Sequence, residues 1–323
     1  MTAMVTLPSP RDLYDRWESQ QWSVARVEVG RDASRWETLR PVTRRELLVA
    51  LAELEIGEVC VTQTLSSLVD HSPTEEDRIY LCTQLADEGR HVQFFKQYLL
   101  GPVGVDPAEL EQPDSELSLL SAYGQIFEPV LRDATRRVRE SGGDPAVWHA
   151  GVVQYHLVTE GVIAAPSLKR LREFVRAVGG LAALEEGLSN VARDETRHLT
   201  YGQTAARRGV QNGFAEVIGQ TYLGALEQAV EVLVNPGRKA VTPVIRAALA
   251  HHAGQLDEQW SVARNRMLRQ LALIGLDALR DEAERAWERA FTRAFAVYEQ
   301  RWDAPHPVPK AAGLGLLTPR AHV

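Results

Sequence analysis

Cysteine is scarce in these 323 residues: Cys60 and Cys82 are the whole supply. Two are too few for a disulfide framework and suit a reducing compartment, where both read as small buried hydrophobes. Lysine is nearly missing as well, with Lys96, Lys169, Lys239 and Lys310 the sole examples, so arginine supplies almost all of the 36 basic residues. Against 43 acidic residues the net charge is −7, the wrong sign for a surface that grips phosphate backbones, and no nucleic-acid partner is expected. No apolar run approaches the roughly 18 residues a membrane span requires. The stretch Met1 to Arg16 lacks the basic segment and apolar run of a secretory signal, so a cytoplasmic location is expected. Strand-period alternation and low-complexity tracts are absent too. What remains is an all-α chain whose 45% hydrophobic content is ample for a sizeable core.

Within that chain two stretches are near copies: Asp87-Glu88-Gly89-Arg90-His91 and Asp194-Glu195-Thr196-Arg197-His198. Each contains Glu-x-x-His, and on a helix a spacing of three places both side chains on one face. One such tetrad arises easily by chance; two in the same five-residue frame are a much more specific signal. A Glu-x-x-His pair from each of two helices, completed by a lone Glu from each of two others, is the ligand set of ferritin-like dimetal carboxylate proteins.

Helical periodicity supplies the two lone acids. From Thr43, which can cap, the apolar seam runs Leu51, Leu54, Glu58, Val61, Leu65, Leu68, and its one charged member is Glu58. Glu53 and Glu55 lie off this seam, where exposure costs less. A second helix, opening near Pro73-Thr74-Glu75-Glu76, reads Leu81, Leu85, Glu88, Val92, Phe95, Leu99. A less regular helix spans about 117–140. Asp144-Pro145 opens the next, with Asp as cap, and its seam is Val153, Leu157, Glu160, Ala164, Leu168, Leu171. Pro166 is expected to bend or open that helix beyond Glu160. After Gly179-Gly180 comes Leu184, Leu188, Val191, Glu195, His198, Gly202. Further helices are expected at about 213–234, 240–274 and 280–302. The division is an irregular aromatic arm over 1–42 (Tyr14, Trp17, Trp22, Trp36), a ferritin-like helical bundle over 43–304, and a flexible tail over 305–323.

Each of the four seams thus sets a Glu where Leu would ordinarily sit. An ionised carboxylate in an apolar interior costs several kcal/mol unless compensated, so something cationic belongs there. Arg90 and Arg197 could form a purely structural ion-pair network. Yet each follows its Glu by two residues, about 200° round the helix, and so points away from the seam. Two metal ions neutralise four carboxylates and use both imidazoles. The ligand set Glu58, Glu88, His91, Glu160, Glu195 and His198, oxygen-rich with one nitrogen per ion, suits iron or manganese better than zinc. Asp87 and Asp194 can orient the imidazoles across the bundle. His156, four residues before Glu160, is a supporting residue, a seventh ligand or a satisfied core histidine.

From about Trp22 to Gly209 these residues resemble the ribonucleotide-reductase small-subunit superfamily, and within it the ligand-binding oxidases that hold a Mn/Fe centre. The matching segments are Gly57-Glu58-Val59-Cys60-Val61-Thr62, Asp87 to His91, Tyr155 with Val158-Thr159-Glu160-Gly161, and Asp194 to Gly202. The resemblance implies an oxidase that uses dioxygen at a Mn/Fe centre, with Fe/Fe as the alternative, to attack C–H bonds beside an apolar ligand such as a fatty acid. It implies a homodimer, names no electron donor, and carries an ether link between a valine and a tyrosine at the positions of Val61 and Tyr155. On an ideal α-helix Tyr155 lies about 140° from Glu160, so the other helix must come to it. Val162, Ile163, Ala164 and Ala165 could line an acyl channel or simply pack. Val59 and Leu168 depart from the family, where a second acid and an aromatic polar side chain stand.

Three other functions fit less well. A radical-generating reductase subunit usually has a tyrosine four residues after the first His ligand, where this chain has Phe95, and the segment from Leu316 to Val323 does not resemble a partner-docking tail. A dimetal N-oxygenase adds a third histidine, which His156 would have to supply. Metal-storage chains are typically shorter.

Overall fold

A computed structural model of the chain describes residues 5–109, 112, 121–235, 250 and 253–308. Among these residues there is no strand. The long helices are α1 (Pro10–Ser19), α2 (Pro41–Thr64), α3 (Glu75–Tyr98), α4 (Glu128–Glu140), α5 (three continuous segments, Pro145–Val152, Val153–Ala164 and Ala165–Val178), α6 (Ala182–Gly209), α7 (Ala215–Val234), α8 (Ala253–Ile274) and α9 (Arg280–Trp302). The beginning of the 117–140 helix, most of the first dozen residues of the 240–274 helix and the tail beyond Val308 lie outside the described residues.

Several ends follow from local chemistry. The α3 hydroxyl cap is Thr74, which accepts from the Asp77 amide, with three acids in the first turn to complement the positive end of the dipole. At α5 Asp144 caps and Pro145 occupies the first turn. Two expectations need correction. Helix α2 begins at Pro41, not behind a Thr43 cap, because the fixed φ of proline is already helical; Thr43 lies inside and is buried. The arm is also far from irregular: α1 carries a capping box in which Ser9 and Asp12 satisfy each other's amides, and Ala33–Thr38 forms a second short helix.

Helices α2, α3, α6 and α5 pack in a closed ring, each against the next. Chain direction can be read from the apolar residues. One core contains Leu51, Phe94, Phe95, Leu168, Leu188 and Val191; the other contains Val61, Leu81, Val158 and Tyr201. Along α2 and α6 the sequence passes from the first core to the second, and along α3 and α5 it passes the other way. The order up, down, down, up needs one long crossover, between α3 and α5, which α4 helps to make. Glu58, Glu88 and Glu195 fall where α2, α3 and α6 cross from one core to the other, and Glu160 lies on α5 shortly before it crosses, so the acids form a polar layer between two apolar cores. Outside the ring α7 and α8 pack on the middle segment of α5, and α9 on α7. Helix α1 lies across α3 and α6.

The middle segment of α5, Val153–Ala164, is wound as a π-helix for twelve residues. The Ala165 amide bonds to the Glu160 carbonyl, and the Thr159 hydroxyl reaches back to Gln154 O at 2.7 Å, both five residues apart. The irregularity therefore precedes Pro166 rather than following it. Pro166 sits in the first turn of the α-helical segment that resumes afterwards, where its missing N–H does least harm. Widened winding leaves carbonyls under-satisfied, and Gln270 of α8 donates its side-chain amide to Leu157 O at 3.2 Å. Gly161 makes room for this, because a Cβ there would come within 2.7 Å of that amide nitrogen.

Candidate metal centre

The structure brings all six candidate ligands into the polar layer. Glu58, Glu88, His91 and Glu195 can each offer one atom to a common point, and Glu88, Glu160 and His198 to another. The His91 Nδ1 lies 3.3 Å from Glu58 Oε2 and 3.4 Å from both Glu88 Oε2 and Glu195 Oε1. The His198 Nδ1 lies 3.3 Å from Glu88 Oε1, 3.5 Å from Glu195 Oε1 and 4.0 Å from Glu160 Oε1. Glu88 and Glu195 therefore face both imidazoles, whereas Glu58 serves the His91 side and Glu160 the His198 side. Glu88, Glu160, His91 and His198 are at most 3% exposed.

Each imidazole is held from behind by the helix opposite. His91 Nε2 meets Asp194 Oδ2 at 3.3 Å, and His198 Nε2 meets Asp87 Oδ2 at 3.2 Å. With Nε2–H donating to a carboxylate, the Nδ1 lone pair of each ring points into the cluster. Both aspartates are fully buried and are locked in turn. Arg197 reaches Asp87 at 2.6 Å and Asp194 at 2.8 Å, Trp17 donates its indole N–H to Asp87 at 2.9 Å, and Trp22 donates to Asp194 at 2.7 Å. The arginines accordingly balance the aspartates and leave the glutamates uncompensated.

His156 stands outside the cluster. Its Nε2 donates to Gln84 Oε1 at 3.0 Å, and the amide nitrogen of the same Gln84 donates to Glu160 Oε1 at 2.8 Å and Glu88 Oε1 at 3.2 Å. Gln84 thus relays between a neutral imidazole and two carboxylates. Burial, with the nearby His198 charge, pulls the His156 pKa down to about 3. Its backbone is pressed against α6 at Gly202, where a Cβ would overlap the His156 Cβ. Tyr155 is fully buried, and its hydroxyl lies 3.3 Å from both the Val61 carbonyl oxygen and Glu88 Oε1. The angular objection drawn from an ideal α-helix lapses here, since in π winding residues five apart come nearly into line. Glu55, expected to be exposed, is 1% exposed, and Glu53 accepts the Tyr123 amide at 2.8 Å from the Tyr123–Phe127 π turn packed on α2.

Gln84, Gln20 (which accepts from Arg197 at 2.8 Å), Trp17 and Trp22 were not among the residues sequence reasoning assigned to the site. For Gln84 a signal exists: it lies four residues before Glu88 on the same face. The tryptophans carry no local signal, because their partners are 70 and 172 residues away.

The electrostatics of the layer are those of a site short of cations. Burial pushes the Glu58 carboxyl up to about 8, and burial together with the Glu195 charge pushes Glu160 well above the carboxylate range. Burial would also raise Glu195, but hydrogen bonds from His198 and His91 outweigh it and bring the group to about 2. Burial would lower both imidazoles; the Glu58 charge and the Asp194 bond raise His91 well above its ordinary value, and the Glu88 charge and Asp87 bond do the same for His198. Protons thus stand in for missing positive charge. Glu88 Oε2 and Glu160 Oε2 are buried without any hydrogen-bond partner, as expected of atoms whose partner is a metal ion. The donor set, carboxylate oxygens with one imidazole nitrogen on each side, fits a pair of hard or borderline cations.

Comparison with solved structures bears on the fold. An R2-like ligand-binding oxidase from Sulfolobus acidocaldarius superposes with a TM-score of 0.65 at 21% identity, covering 86% of this chain and 90% of that one. Two variants of R2-like ligand-binding oxidases with reconstituted Mn/Fe cofactors give 0.62 at 19% identity and 0.63 at 18%, each covering 85% of this chain and 92% of the other. The fold is that of the R2-like ligand-binding oxidases. No family model matches the sequence. None of the helices among the described residues is long and apolar enough to cross a membrane.

Beyond the cluster, Val162 and Ile163 are buried, and a small, mostly polar cleft opens further along α5 between Lys169, Arg170, Glu173, Glu258 and Gln259. None of its lining residues belongs to the cluster.

Proposed function

We propose that this chain holds two metal ions, Mn/Fe in preference to Fe/Fe, and uses dioxygen to oxidise a C–H bond. His91, Glu58, Glu88 and Glu195 would hold one ion; His198, Glu160, Glu88 and Glu195 would hold the other. The observation that carries this reading is the pair of buried imidazole nitrogens, each aimed by an opposing aspartate at carboxylates that have no other cation to neutralise them. The structural neighbours, ligand-binding oxidases reconstituted with a Mn/Fe cofactor, support the metal choice and the binding of a ligand. Bound metals would supply electrons to dioxygen and the oxidising power for C–H attack. The protein's own contribution is to fix the Nδ1 lone pairs through Asp87 and Asp194, to let carboxylates move within a layer where some oxygens have no protein partner, and to keep water out with an apolar plug on each side.

The ether link between Val61 and Tyr155 that the family resemblance implies is part of this reading, and the 3.3 Å approach of the Tyr155 hydroxyl to the Val61 carbonyl oxygen supports it. Forming it removes one hydrogen from a Val61 carbon and one from the phenol, and delivers two electrons and two protons to dioxygen. Val162 and Ile163, buried just past Glu160, supply the apolar surface that a long-chain acyl ligand would need. The N-oxygenase alternative loses support because His156 belongs to neither group of candidate ligands, and the reductase alternative because Phe95 is buried apolar surface with no phenol to oxidise.

The test is aerobic reconstitution of metal-free protein with Mn(II) and Fe(II). The reading expects two ions per chain, consumption of dioxygen, and a Val61–Tyr155 peptide lighter by two hydrogens. Glu88→Ala is expected to lose both ions, and Glu58→Ala or Glu160→Ala chiefly one. A chain that takes up neither metal and consumes no oxygen contradicts it.

A further inference from the structure

Outside the ligands lies a second group of polar aromatics that nothing in the oxidase reading uses. Tyr201 of α6 and Tyr80 of α3 are both fully buried, with their rings stacked at 4.5 Å between centroids. The Tyr201 ring meets His156 edge-on at 5.4 Å, and His156 in turn lies 4.8 Å from Tyr155. Aromatic contact is therefore unbroken from the edge of the cluster to Tyr201. On its far side the Tyr201 hydroxyl donates to Asp77 Oδ1 at 3.0 Å. The other oxygen of that carboxylate is taken by Arg208 at 2.6 Å and Thr74 at 2.5 Å, and Arg208 is 30% exposed. The group thus ends at the protein surface.

The two phenols differ in one respect. Removing an electron from a buried tyrosine makes its proton strongly acidic, so the loss is feasible only where a base can take that proton. Tyr80 has no hydrogen-bond partner for its hydroxyl. Tyr201 has an ion-paired carboxylate in line, with one oxygen reserved for it. Asp77 serves no other evident purpose that requires full burial of its charge, since the Thr74 cap of α3 needs only the Asp77 amide.

We propose that Tyr201, with Asp77 as its proton acceptor and Tyr80 as its stacked neighbour, is a one-electron relay between the candidate metal centre and the protein surface. This rests on the oxidase reading for its oxidant, an air-oxidised metal pair. One electron leaves the Tyr201 phenol by way of the His156 contact and lowers the oxidation state of one metal ion by one. The phenolic proton crosses to Asp77 Oδ1, leaving a neutral phenoxyl radical and a carboxylic acid. A one-electron reductant at the Arg208 side refills the phenol, and the proton returns from Asp77. Tyr201 is the redox-active residue here, Asp77 its base, and Tyr80 a positioning residue.

The experiment is freeze-quench electron paramagnetic resonance of the full chain after reduced Mn(II)/Fe(II)-loaded protein is mixed with air. Metal content and the optical change of the metals are followed in the same samples. The relay predicts a tyrosyl signal, narrowed by ring-deuterated tyrosine, whose yield per chain falls at least ten-fold in Tyr201→Phe and in Asp77→Asn, and is retained in Tyr80→Phe. Two variants at separate positions, both assayed for metal content, keep a folding defect from imitating the result. A signal of undiminished yield in Tyr201→Phe, or none in wild-type protein whose metals oxidise, overturns the relay and leaves the oxidase reading intact. Metals that stay reduced in air overturn both.

Discussion

Glu58 is the side chain whose chemistry depends most on what fills the site. With its pKa at about 8 in the folded metal-free chain, it binds a proton at neutral pH that the unfolded chain, with a pKa of about 4.3, has released. Between those values the native state holds more protons, so the Glu58 contribution to metal-free stability falls as pH rises from about 4.3 to about 8. A metal ion displaces that proton. Metal affinity at the Glu58 side is therefore expected to rise with pH and level off above about 8, while metal-loaded protein shows no such loss of stability. Competition titrations with a chelator and thermal melts, each from pH 5.5 to 8.5, check the two trends. Asp87 and Asp194 act on the same site without touching the metals. Asp194→Asn keeps the shape but removes the charge that raises His91 and anchors Trp22, and a loss of about 10- to 100-fold in metal affinity is expected. Gly202→Ala puts a methyl into His156 with no escape route, so a loss of about 1–3 kcal/mol is expected from denaturant unfolding.

The helices show why some of this was open to a reader of the sequence and some was not. Where a helix is regular, a Glu among leucines names its own face, and Glu58, Glu88, Glu160 and Glu195 could be placed in one layer from spacing alone. Glu53 escaped the same logic because its partner, the Tyr123 amide, comes from a turn 70 residues away in the chain. The π winding of Val153–Ala164 also leaves no periodic trace: its residues are almost all buried, so no amphipathic stripe reports the residues per turn. For that reason Tyr155 seemed misdirected from sequence when the structure aims it at Glu88. Gln270 donates to a carbonyl of this segment from a neighbouring helix. Gln270→Ala is expected to leave Leu157 O without that bond and cost about 1–3 kcal/mol, and to perturb the spectrum of bound metal at Glu160, measured against the wild type in paired melts and metal spectra.

The molecule joins a ring of four helices to an arm that closes it. Trp17 and Trp22 belong to the chain's first two dozen residues, yet they bond to the aspartates that aim the imidazoles of α3 and α6. An arm read from sequence as aromatic packing is thereby part of the site's support. Cutting the chain before Val24 is expected to leave a folded bundle, as judged by circular dichroism, with metal affinity at least ten-fold weaker. The reason for a dry, doubly plugged layer of four glutamates is the pair of cations it awaits, and anomalous diffraction at the manganese and iron edges on aerobically reconstituted crystals addresses that directly. Two ions are expected, one beside His91 Nδ1 and one beside His198 Nδ1, with Glu88 and Glu195 touching both. Crystals grown from protein supplied with both metals that show no anomalous peak between these imidazoles, with protons still holding the glutamates together, would contradict the account.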